Sequence, residues 1–340
     1  MAYQNVGKCR FYIDTISYLK STGNEYSTDL NSNLFRFDPI NQSEIIINNS
    51  NSFEITFNEN LQMLFDTDNF YMGFLNHDIT NNGLIIPTES STPILNGDIS
   101  IDETNSISTT TLNIETKGTT IFTGTINPDT PTISLNLPEP VEGAADQSLE
   151  FNLGSFILGS YYDMPSADLE LSMDVEFDGF DTTQTMGGST LTNVRYAGSP
   201  YWINDGSKNT PFSIGDSNLV AKRNGRRVWN LSFSYISDED LFASNYMGNN
   251  YLETEDNYNS NDLESIEGNN TFYYNINNDK SFISQVLNKV GNGQRFLFQP
   301  DNTNNNPDQF AICVLDQDSF SISQVAFKSY NISLKIKEVW

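Results

Sequence analysis

The stretch Arg227–Ile236 (RVWNLSFSYI) constrains the fold more than any other part of the chain. Trp229, Leu231, Phe233 and Tyr235 alternate with Asn230, Ser232 and Ser234. A period of two places the apolar side chains on one face of an extended strand. The same period recurs in Phe53–Phe57, where Phe53, Ile55 and Phe57 alternate with polar residues. It returns near the end of the chain in Ile332, Leu334 and Ile336.

Further extended runs read at Ser43–Asn48, Phe70–Leu75, Gly83–Ile86, Ser106–Ile114, Thr119–Ile126, Thr132–Leu137, Leu149–Leu153, Leu169–Phe177 and Thr190–Tyr196. Residues 8–20 carry β-branched and aromatic residues around an early turn. The C-terminal part adds Arg295–Gln299, Phe310–Asp316 and hairpin arms Phe320–Ala326 and Tyr330–Val339. Abundant Asn, Ser and Thr favour turns and strands over helices. One helix is predicted, Lys280–Val290, capped by Asp279 and stopped by Gly291, with Phe282, Ile283, Val286, Leu287 and Val290 on one stripe. The expected fold is therefore all-β. Short strands separated by turn signals suggest a β-sandwich or jelly-roll middle domain, 94–210. Residues 1–93 form an N-terminal β region able to pair with the C-terminal part. Residues 211–340 read as a β-barrel-like domain with one packed helix and an Asn-rich insertion, 244–271.

Charge narrows the function. The 340 residues include 44 Asp+Glu, 17 Lys+Arg and one His, a net charge of -27. Such a field opposes nucleic-acid binding, which needs a basic face, and docking on an anionic membrane. Residues 37–194 hold 24 acids and one base, Lys117. Four of the bases, Lys222, Arg223, Arg226 and Arg227, fall together. That knot is expected to meet the acidic surface of a neighbour. No apolar run reaches the length of a membrane-spanning helix. The start, MAYQNVGKCRFYID, lacks a signal-peptide core, so the expectation is synthesis in a cytoplasm.

Catalytic and metal chemistry find little to work with. The lone His77 beside Asp78 has no nucleophile motif and reads as a surface or strand-end residue. Asp66/Asp68, Asp238/Asp240 and Asp316/Asp318 lack the rest of a calcium loop and read as turn and cap chemistry, leaving only a structural calcium site open. No cofactor, metal or catalytic residue is assigned. Cys9 and Cys313 read as free thiols, with one disulfide between them left open. Tyr161, Tyr162, Tyr196, Tyr201 and Trp202 could form a sugar-stacking platform or core packing. The terminal Trp340 is expected to be buried.

Five C-terminal segments carry a resemblance: GRRVWNLSFSYISDEDLF (225–242), FISQVLNKV (282–290), QRFLFQPDN (294–302), DQFAICVLD (308–316) and SFSISQVAFKSYNISLKIKEVW (319–340). In this order they resemble distal-tail or minor tail-tip proteins of tailed bacteriophages, marine phages especially. Segments 153–179 and 185–196 are similar to parts of other marine-phage virion proteins. The resemblance implies a non-enzymatic structural component of a tail or baseplate. It would be assembled in the host cytoplasm and carried in the virion. Its partners would be copies of itself in a ring and other tail proteins. The assembly contacts would come from Arg223, Arg226, Arg227, Trp229 and Trp340. Capsid decoration, head–tail joining and a carbohydrate-binding adhesin module are the alternatives. The last would use Tyr161, Tyr162, Tyr196 and Trp202 on a host-surface glycan.

Overall fold

The computed structural model describes residues 7–23, 26–48, 53–58, 66, 68–78, 108–114, 118–125, 132–135, 148–168, 172–177, 180–194, 199, 202, 225–242, 280–291 and 293–340. The strands expected at Gly83–Ile86, the cap Asp279 and the insertion 244–271 lie outside the described residues.

The fold is all-β in character. A large antiparallel sheet contains β1 (Arg10–Asp14), β3 (Ser43–Asn48), β5 (Phe70–His77), β6 (Ser108–Ile114), β7 (Gly118–Thr125) and β9 (Ser148–Asp163). It continues through β10 (Ser172–Glu176), β13 (Arg226–Ser237), β14 (Phe296–Gln299), β15 (Ala311–Leu315), β16 (Ile322–Ala326) and β17 (Ser329–Glu338). Its order is β10-β13-β17-β15-β14-β1-β9-β5-β7-β6, with β16 on β17 and β3 on β9. A small sheet joins β2 (Tyr26–Ser27), β4 (Phe53–Phe57) and β8 (Thr132–Leu135). A separate pair joins β11 (Phe180–Gln184) to β12 (Thr190–Val194).

Stretches 1–93, 94–210 and 211–340 all contribute strands to the large sheet. Strand β1 lies between β14 and β9, with Arg10 opposite both Gln299 and Asp163. The boundaries drawn at 93/94 and 210/211 thus do not separate sheets. Strands from the stretches expected to form a middle sandwich and a C-terminal barrel-like domain lie in one continuous sheet. Alternation predicts which face of a strand is apolar but not which strand lies beside it.

Strand β9 organises the centre. Its first half pairs with β3, its second with β1, and β5 runs along its other side. Gly159 permits this crossing, because a Cβ there would sit 2.1 Å from the Ile13 carbonyl oxygen. Both faces of the sheet are covered around β1. Phe11, Trp229, Leu231, Phe233, Phe298 and Ile336 pack in one core. Tyr12, Tyr71, Ile157, Trp202, Leu297 and Phe310 pack in another, so adjacent residues such as Phe11 and Tyr12 serve opposite sides.

Strand β13 follows its predicted alternation as far as Phe233. A register shift then intervenes between Phe233 and Ile236. Tyr235 takes φ 59° and is 74% exposed, while Ile236 takes the inward place. The inward row expected to end at Tyr235 is corrected accordingly, by a bulge that adds one residue. Helix α1 (Thr15–Thr22) falls within a stretch read as turn and strand. Asp14 caps it by accepting from the N–H groups of Ile16 and Ser17, and Gly23 closes it at φ 76°. Helix α2 spans Asp238–Leu241. The predicted amphipathic helix is present as a π-helical segment, Ile283–Leu287, followed by an α-helical turn, Asn288–Val290, together α3.

Candidate assembly surface

Strand β10 ends the large sheet and pairs only with β13 among the described strands. Its backbone period places Met173 and Val175 opposite Trp229 and Arg227, on the face that is core further along the sheet, yet with Phe177 they are 54%, 43% and 67% exposed. A row of apolar side chains beside an open strand edge is what a further strand or a second chain would cover. After Phe177 the chain enters the arm β11–β12. Its strands pair with each other through Asp181↔Asn193 and Thr183↔Leu191 and join neither sheet. From 181 to 192 every side chain is exposed except that of Thr185, which is half-buried. At the tip, the N–H of Thr185 donates to Ser189 O at 2.8 Å and Gly188 adopts φ 82°. Met186 there is fully exposed. A second exposed apolar set, Tyr235, Val325 and Phe327, lies at the other end of β13 and on the β16–β17 hairpin.

The basic knot is arranged differently from expectation. The Arg227 guanidinium donates to Glu338, to the Asp308 carbonyl at 2.7 Å and to the Phe310 carbonyl at 2.9 Å. It also lies 4.9 Å from the Trp229 ring centre. Arg227 is therefore an internal brace, and Trp229, 3% exposed, is core. Arg227 is corrected as an assembly contact, because the chain's own carbonyls and Glu338 take up the guanidinium, while Trp229 is buried as its place on the apolar face of the strand requires, within its own chain's core. Arg226 sits over the half-buried Trp340 ring at 5.0 Å, a cation–π contact that fastens the C-terminus. Arg223 lies outside the described residues.

Among the described residues, Tyr161 and Trp202 belong to one core cluster and Tyr162 to the other, so they form no common exposed platform. Tyr161 and Tyr162 project from opposite faces of β9. Tyr161 is covered by Arg10 at 4.1 Å, and Arg10 is itself paired with Asp163. Tyr162 packs on Phe282 and donates its hydroxyl to Asp240 O at 2.8 Å. Trp202 is 2% exposed inside the core. Its ring faces are thus closed to a sugar, because the aromatic bulk fills the core cluster that also holds Tyr71. Tyr196 and Tyr201 lie outside the described residues.

His77, expected at the surface, is buried. Its Nε2 lies 2.8 Å from Thr120 Oγ1, and burial pushes its pKa down to about 4. Cys9 and Cys313 are free thiols in the same core, and burial raises the pKa of Cys9. Lys280 pairs with both Asp66 and Asp68, and Lys335 with Asp316 at 2.7 Å. Among the described residues, no group of three or more His, Cys, Asp or Glu is placed to hold a metal ion. No described helix is long and apolar enough to cross a membrane.

Sequence reasoning missed two cavities. A polar groove of about 660 Å³ runs between the small sheet and β3, bearing Asp29, Glu44 and Glu54. A notch of about 360 Å³ beside the end of α1 bears Lys20, Arg36 and Arg295. The bases of the notch are far apart in sequence, so no local charge run announces them. No family model, no curated protein and no solved structure matches the chain.

Proposed function

We propose that this protein works by assembly, as a structural component that packs against further copies of itself and against neighbouring proteins in a larger particle. The arm β11–β12 carries the reading. It extends from an outer strand with an uncovered apolar row, and its own side chains face solvent on both sides. A two-stranded hairpin is at best marginally stable alone in water. Such an arm gains order by lying against another chain.

The particle we have in mind is a bacteriophage tail or baseplate, with the chain as a tail-tip or adaptor protein of the virion. That setting rests on the resemblance of segments 225–242, 282–290, 294–302, 308–316 and 319–340. Neither a catalytic group nor a cofactor has a part in this mechanism. Sedimentation velocity over a wide concentration range tests the assembly step. Association of the full chain, reduced by Val175→Lys or by removing 180–194, is expected. A strict monomer at the highest concentrations would overturn it. Density for this chain in a reconstruction of the particle tests the virion setting.

A further inference from the structure

We infer that the notch beside α1 is a carboxylate-binding site, and that its carboxylates come from the acid-rich outer strand and arm of a second copy. This rests on the assembly reading above and names its contact. Lys20 comes from the last turn of α1, Arg36 from the segment after a 3-10 turn, and Arg295 from the residue before β14. All three line one notch together with Phe35 and Phe37, and Asp38 is the one acid among the lining residues. The Arg295 guanidinium is held in place by donating to the Phe37 carbonyl oxygen.

This arrangement inverts the chain's own composition. With 44 acids to 17 bases, an exposed base should find an acid readily. Yet among the described residues neither Lys20 nor Arg36 has an ion-pair partner. The carbonyls at the end of α1 account for a base at Lys20. They do not account for Arg36 or Arg295. Three like charges around one hollow repel, and an incoming anion relieves that repulsion. Two guanidinium groups favour a carboxylate, whose oxygens match their paired donors.

The second copy supplies the complement. Residues 172–181 (SMDVEFDGFD) contain Asp174, Glu176, Asp178 and Asp181 and no base; Glu176 is paired with Lys337 of its own chain, and Asp174 accepts from the Asn230 side chain. Asp174 and Asp181 are exposed. In sequence the segment leads into the arm, whose two strands pair only with each other among the described strands. Notch and arm are different surfaces of one molecule. Their contact is head-to-tail, and repeated it closes a ring or extends a filament.

Sedimentation velocity and disulfide trapping of the full chain test the contact. Lys20→Gln with Arg36→Gln is expected to weaken association at least about tenfold, the loss of charge-assisted hydrogen bonds. Lys8→Glu, which changes net charge equally, should leave association nearly unaltered. Arg36→Cys mixed with Asp181→Cys should yield a disulfide-linked dimer that neither variant forms alone. The native thiols Cys9 and Cys313 are buried and do not compete. Undiminished association of the Lys20/Arg36 variant, or failure to trap the dimer, overturns the notch–arm contact and leaves the assembly reading intact. A monomeric wild type overturns both. Saturable binding of inorganic phosphate, with association indifferent to Lys20 and Arg36, assigns the notch to a small free anion and also overturns the contact.

Discussion

Arg227 and Glu338 lock the last strand to β13. The Arg227 Nη2 lies 3.2 Å from Glu338 Oε1, and Glu338 Oε2 also accepts the Arg227 backbone N–H at 3.0 Å. Both side chains are largely buried, at 12% and 4% exposure. Removing one member of such a pair strands the other away from water. Glu338→Ala should therefore cost about 3 kcal/mol in urea unfolding. Lys335→Ala breaks an exposed pair with Asp316 and should leave the unfolding midpoint in place. Equal effects of the two substitutions would contradict this distinction.

His77 and Asp14 should impose opposite acid dependences. The folded state holds the His77 pKa near 4, below its ordinary 6.5, chiefly because burial disfavours the imidazolium. Between those values the unfolded chain binds more protons, so stability falls as pH drops from about 6.5 to 4. The effect is on the order of 3 kcal/mol. Burial raises the Asp14 pKa from 3.8 to about 6 against the hydrogen bonds that favour its charge. There the folded state binds more protons, so this group stabilises the fold as pH drops from about 6 to 3.8. His77→Gln should remove the first slope and Asp14→Asn the second, in chemical denaturation repeated across pH 4–7. Asn still caps α1.

Lys289 lies buried on α3, with its Nζ 2.8 Å from Gln285 Oε1. Burial lowers its pKa from 10.5 to about 7. Below pH 7 the folded state carries the full cost of the charge, and stability rises as pH increases from about 7 to 10.5. Lys289→Met should raise the denaturation midpoint at pH 6. The gain should shrink by pH 9, when the folded-state amine is neutral. A midpoint lowered at pH 6 would mean that the Gln285 contact outweighs desolvation.

Trp202→Ala separates core from glycan roles. The ring belongs to one buried cluster with Tyr71, Ile157 and Phe310. Truncation should cost about 3–5 kcal/mol, read as a lower thermal midpoint. A variant of wild-type stability that lost binding on a glycan array would place the ring at a surface instead.

Local patterns in the sequence revealed much of this architecture. Phe53, Ile55 and Phe57 announced a half-buried strand, and the same three residues are buried in β4. The amphipathic stripe of α3 was equally plain, since Phe282, Ile283, Val286 and Val290 are buried. Helix α1 was also marked, by Asp14 at its start and Gly23 past its end, but Thr15, Ile16 and Tyr18 disguised it as strand. What stayed hidden was nonlocal. Nothing beside Arg227 in sequence points to Glu338, and nothing in Trp202 shows that it is buried in the core rather than facing solvent. The candidate surface was half legible: Leu169–Phe177 read as a strand, but its place at the end of the sheet depends on every other strand's neighbour. The notch unites Lys20, Arg36 and Arg295 only after the chain has folded.

The place of β1 between β9 and β14 has a consequence for synthesis on the ribosome. The strand emerges long before β14, the partner of Arg10–Tyr12 at Leu297–Gln299. Until β14 emerges, one side of β1 has no permanent partner, and the Phe11 face lacks Phe296 and Phe298, which come with β14. Long-range closure of this kind slows folding and leaves apolar surface open to misassociation. A shortened message that ends before β14 would release a chain that has lost its central seam, not merely a protein with a missing tail.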